Sequence, residues 1–135
     1  MDAIVNKVAE SGIITLDLSA YLPDEKQMSF FDLKPFLFRE MILKEKDYRA
    51  ALQTLDWALY KEKYVAIGCS ADAIIPVWAY MLAASYLQPQ AIAVLFGSVE
   101  ELKKKILLER IDKLNTADYA DKRVVIKGCG DIPVL

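Results

Sequence analysis

The residues able to do chemistry gather at two places in this chain. Cys69-Ser70-Ala71-Asp72 follows the short β-rich run Tyr64–Ile67 and Gly68, and Cys129-Gly130-Asp131 follows Val125-Ile126-Lys127-Gly128. Each place later continues into Ile-Pro-Val, at Ile75–Val77 and Ile132–Val134. The spacings after the two cysteines differ, so this is an echo and not a true repeat. Its physical content is that two strands each deliver a thiol and a carboxylate at their C-terminal ends, where open α/β sheets bind ligands. Two thiolates with two carboxylates suit zinc or iron, which makes Cys69 and Cys129 the candidate metal or sulfur-species ligands. Ser70, Asp72 and Asp131 complete the candidate ligand-binding set. Against this stand the lack of a Cys-x-x-Cys motif and the plainer reading of both cysteines as small buried residues at strand ends.

A second chemistry uses Cys69 alone. A long apolar helix is expected to begin between Ser70 and Ile75, with Asp72 in its first turn. The unpaired N–H groups of a helix start favour a thiolate, and Asp72 or Tyr80 is the proton partner available to a Cys69 nucleophile. The chain contains no histidine. That removes Ser-His-Asp and Cys-His catalysis, imidazole acid–base work and histidine metal ligands. No lysine or arginine lies near Cys69 to replace the missing base. Gly68 and Gly128 suit the approach of a phosphate to a helix start, but neither sits in a glycine-rich loop followed by lysine, which argues against a nucleotide.

The composition sets the class. At 135 residues the chain is expected to form a single α/β domain over residues 1–135. Hydrophobic residues make up 55%, an excess that implies burial on both sheet faces or an oligomer interface. The net charge of −2 comes from interspersed acids and bases, so no basic face suggests nucleic acid. Lys103–Lys105 lies in a helix rich in acids and reads as a solvated face. The start of the chain lacks a basic region followed by an apolar block, so no signal peptide is expected. Ala73–Val99 is free of charge, but Gln88-Pro89-Gln90 and Gly97 break it into a buried helix and a buried strand too short to span a bilayer. These features predict a cytoplasmic protein without a membrane segment.

The elements follow from the patterning. Asp2–Glu10 predicts a short helix, Ile13–Leu18 a strand, and Met28–Phe31 a second strand forming a hairpin with it. Asp32 reads as an N-cap, with Phe36, Leu37, Glu40, Met41 and Lys44 at helical spacing after it. Asp47–Ala58 is a further helix, with Trp57 and Tyr60 as anchors at the core edge. Then come strand 64–68, helix 72–87, strand 91–96, helix 98–114 opened by the capping box Ser98…Glu101, and strand 123–127. The fold is thus an open α/β sheet with a parallel β-α-β-α-β C-terminal half and an N-terminal helix plus β-hairpin. Strand 64–68 is expected between strands 91–96 and 123–127, an order that would bring Cys69 and Cys129 to one crevice.

Several longer runs carry a resemblance. Ile13-Ile14-Thr15-Leu16-Asp17-Leu18, Ile42–Arg49, Asp56-Trp57, Cys69–Pro76 with Trp78–Leu82, and Lys127–Asp131 make the whole chain similar to a bacterial protein family of unknown function, number 2480 in the domain-of-unknown-function series. The resemblance implies no activity and no cofactor. It implies a further helix and a third cysteine after the position of Leu135, and, by the association of such genes with iron–sulfur assembly, partners among iron–sulfur assembly proteins. Three functions are therefore carried forward: an accessory factor binding metal or sulfur species in the Cys/Asp crevice, a non-catalytic homo-oligomeric interaction protein, and a cysteine-dependent enzyme.

Overall fold

The structure, a computed structural model, describes residues 12–128. The expected helix Asp2–Glu10 lies outside them, as do Cys129 and Asp131. Packing divides the chain into two compact units, Asp24–Lys103 and the residues up to Pro23 with those from Lys104 onward.

The first unit is built on a three-stranded parallel sheet of β2 (Met28–Asp32), β5 (Tyr64–Gly68) and β6 (Ala93–Phe96), in the order β2-β5-β6. The register aligns Phe31 with Ile67 and Ile67 with Phe96. As the sequence predicts, β5 and β6 are parallel neighbours joined through a helix. Val65, Ala66 and Ile67 of the middle strand are buried, which is why their run is apolar without alternation. The joining helix α2 (Val77–Leu87) buries Ala79, Ala83 and Leu87 in one core cluster with Val65 and Ile67. Two alanines on that face let the helix come close to the sheet. Helix α1 (Glu45–Thr54) inserts Tyr48 and Leu52 into the same core. The Tyr48 hydroxyl donates to the Ala79 carbonyl at 2.7 Å, so the largest buried side chain leaves no polar group unpaired. Burial, and secondarily Tyr80, push its pKa up to about 12. Trp57 is the edge anchor expected of it. It stacks on Tyr86 at 5.0 Å, meets Phe31 at 5.4 Å, and donates its indole N–H to the Leu52 carbonyl.

Helix α2 starts later than the sequence suggests. Pro76 is its N-cap, with φ −66° and ψ 145°. Proline disfavours helical geometry in the residue before it and has no N–H to give, so residues 69–76 are irregular and the helix begins only at Val77. The helical spacing read after Asp32 is also overturned. Asp32 does cap, accepting from the Lys34 amide at 2.9 Å, but it opens only a 3-10 turn, Lys34–Phe36. The chain then forms a two-stranded antiparallel ribbon, β3 (Leu37–Phe38) with β4 (Ile42–Leu43). Its turn places Arg39 and Glu40 at φ 53° and 58°, a reversal that ends any helix.

The second unit holds a parallel pair, β1 (Ile14–Asp17) with β7 (Val124–Lys127), in which Ile14 faces Val124 and Asp17 faces Lys127. This corrects two expectations. Strand β1 does not form a hairpin with β2, because two 3-10 turns, Leu18–Tyr21 and Glu25–Gln27, separate them, capped by Asp17 and Asp24. Strand β7 is not the neighbour of β5; that place is taken by β2. Alternating apolar residues specify that a strand exists and not which edge it joins. Helix α3 (Val99–Asp112) connects the units in sequence. Its capping box forms as read: the Glu101 amide donates to Ser98 Oγ at 3.1 Å, and that hydroxyl donates to the Glu101 carboxylate at 3.3 Å. Among the described residues no helix is long and apolar enough to cross a membrane.

Candidate functional site

The carboxyl ends of β2 and β5 lie side by side, with Asp32 opposite Gly68. The Leu33 amide donates to the Gly68 carbonyl at 2.9 Å, which holds the two strand ends together as the chain leaves both. Ser70 then turns back onto Asp32. Its amide donates to Oδ1 at 2.9 Å and its hydroxyl to Oδ2 at 2.5 Å. Burial works to raise the Asp32 pKa. The Ser70 hydroxyl, the amides of Lys34 and Ser70, and the Lys34 charge outweigh it and hold the carboxyl below its ordinary value. Asp32 is therefore the organiser of this strand-end elbow. In sequence it reads only as a cap, because nothing local announces a contact to a residue thirty-eight positions away.

Cys69 sits in the elbow as a free, half-buried thiol packed against the core cluster. Residues 70–76 lie between it and the first helical residue, so the helix start that was to activate it is elsewhere. Asp72 is exposed and belongs to no helical turn. Tyr80 is the one further titratable group near the thiol: burial, then Cys69 and Asp32, raise its phenol above the ordinary value. Among the described residues no three Cys, Asp or Glu side chains come together as a metal-binding group. The strand that leads to Cys129 and Asp131 pairs with β1, so the neighbouring-strand argument for one shared crevice with Cys69 has no support from the strand order.

The more developed feature lies on the other side of Tyr80. Helix α2 crosses β5 and β6 with its alanine face on β5. Its next face, carrying Val77, Tyr80, Met81, Ala84 and Gln88, overhangs Val94 and Phe96 of the edge strand. A cavity of about 340 Å³ opens between them, lined almost wholly by apolar side chains. Tyr80 and Phe96 form one wall, with ring centroids 4.3 Å apart. The surface around it is unusually apolar. Val77 is 71% exposed, Met81 66%, Phe96 64% and Ile92 51%. The sequence reading finds the charge-free run and the all-round apolar helix but not this groove, since it takes that helix as covered by sheet and neighbour alike.

A family profile described as a protein of unknown function, DUF2480, matches residues 2–135. The chain belongs to that family. Neither a curated protein nor a solved structure matches it. Membership in DUF2480 spans both units and assigns no reaction to either.

Proposed function

We propose that this chain is a non-catalytic interaction protein that works as a homo-oligomer through the α2–β6 face. The observation that carries the reading is the exposure of Val77, Met81, Ile92 and Phe96 around one apolar groove. Leaving such a patch in water is unfavourable by about 25 cal/mol for each Å², and contiguous apolar patches on soluble domains mark association sites. Ala73–Val99 carries no charge, so two copies of the face meet without repulsion or buried unpaired ions. Sedimentation velocity over micromolar concentrations tests this. A dimer or larger species that dissociates on dilution is expected, and a monomer at every concentration contradicts the proposal.

A second reading keeps the thiol. The proximity of Cys69, Asp32 and Tyr80 supports a site for a metal or sulfur species in the strand-end elbow, with Cys129 and Asp131 as its further candidates and iron–sulfur assembly proteins as partners. Metal analysis of protein purified without chelator, beside Cys69→Ser and Cys129→Ser, tests it. Metal bound by the wild type and lost in both variants supports the reading, and metal-free wild type opposes it. A cysteine-dependent enzyme is the weakest of the three, with no histidine in the chain and the helix start displaced from Cys69.

A further inference from the structure

We propose that the second copy docks by antiparallel pairing of β6 with β6 of its partner across a two-fold axis perpendicular to the sheet at Leu95, joining the two sheets and bringing the two α2 helices together over the join. This rests on the self-association proposed above and specifies its geometry.

The strand edge provides the first argument. Among the described residues β6 pairs only with β5. Gly97 donates its amide to the Ile67 carbonyl at 2.9 Å. Backbone groups alternate sides along a strand, so Leu95 also faces β5, and the N–H and C=O groups of Val94 and Phe96 face outward. A two-fold axis at Leu95 sets Val94 of one copy opposite Phe96 of the other, where each pair exchanges N–H and C=O in both directions. Exposed edges are commonly guarded by lysine, proline, inward charges or bulges. The strand Ala93-Val94-Leu95-Phe96 has no charged residue and no proline. The opposite edge, β2, ends in Asp32 and follows Glu25 and Lys26.

The helix provides the second argument, and it is one of spacing. Helix α2 lies across β5 and β6, so its axis stands about one strand spacing from the proposed join. Reflection through the two-fold places the two α2 axes about two spacings apart, or roughly 10 Å. Packed helices lie about 8–10 Å apart. The side of α2 that would face its counterpart carries Val77, Met81, Ala84 and Gln88, at the alternating three- and four-residue spacing of a helix–helix seam. Because directly opposed residues in an antiparallel pair share a face, Val94 and Phe96 of both copies line the floor beneath that seam. The groove is thus half of an interior that the second copy completes.

Amide hydrogen exchange, measured on the wild type and on Met81→Asp, reads this geometry residue by residue. In the oligomer the Val94 and Phe96 amides are expected to exchange at least roughly tenfold more slowly than in a monomeric Met81→Asp variant. The Leu95 amide, bonded within the chain, stays protected in both and reports that the variant is folded. If Met81→Asp does not fold, dilution of the wild type to monomer supplies the comparison. An oligomer whose Val94 and Phe96 amides exchange as fast as in the monomer overturns edge pairing while leaving self-association in place. Protection of both amides in the monomer also overturns it, and a wild type that is never oligomeric overturns both proposals.

Discussion

At the scale of single residues, Asp32 and Tyr48 hold the first unit together by different means. Asp32 accepts from both donors of Ser70 and from the Lys34 amide, so its charged form is the one the fold stabilises. Asp32→Ala is expected to lower stability by about 1–2 kcal/mol at neutral pH. A group whose folded pKa is depressed contributes above its unfolded value, about 3.9, and loses that contribution as pH falls through the folded value. The deficit of the variant should therefore shrink below about pH 4, which urea unfolding across the acid range would measure; a deficit independent of pH would contradict the assigned role. Tyr48 is the opposite case. Its folded pKa of about 12 lies above the ordinary value of 10.0, so its contribution is intact at neutral pH and declines as pH rises from 10.0 toward 12. Tyr48→Phe is expected to cost about 1 kcal/mol at neutral pH through the lost bond to Ala79, and to unfold less steeply than the wild type in alkaline titration. Equal alkaline profiles would mean that the phenol escapes to solvent before it ionises.

At the scale of elements, the strands, the capping box and the anchor role of Trp57 were all legible, because each follows from local chemistry. Helix α2 was legible in kind but misplaced at its start: Asp72 suits a helix N-terminus, and only the constraint Pro76 puts on Ile75 decides against it. The ribbon Leu37–Leu43 was not legible. Phe36, Leu37, Glu40 and Met41 fit a helical period, and the sequence has no Asn-Gly to announce a reversal at Arg39-Glu40. Both residues take positive φ, a geometry that disfavours side chains bearing a Cβ. Glu40→Gly is expected to raise stability by about 0.5 kcal/mol, the relief of strain exceeding the loss of an exposed Lys34–Glu40 ion pair and of chain stiffness. A fall in the melting temperature would show that the ribbon depends on the Glu40 side chain.

At the scale of the whole molecule, the α/β class follows from the alternation of strands and apolar helices, but the strand order does not. Strand β5 has the same sequence signature whether its second neighbour is β2 or β7, and the pairing that was expected to unite Cys69 with Cys129 turned on that choice. What the order β2-β5-β6 leaves is an edge strand and an apolar helix with one uncovered side. The excess of apolar residues in the composition and the exposed groove are then one fact seen at two scales. Light scattering of the wild type, Met81→Asp and Leu59→Asp tests this account most directly. Leu59 is 70% exposed but stands apart from the groove, so its substitution controls for the loss of any exposed apolar side chain. The account predicts twice the chain mass of 15.2 kDa or a higher multiple for the wild type and Leu59→Asp, and 15.2 kDa for Met81→Asp. A wild type of 15.2 kDa, or a Met81→Asp variant as heavy as the wild type, would contradict it.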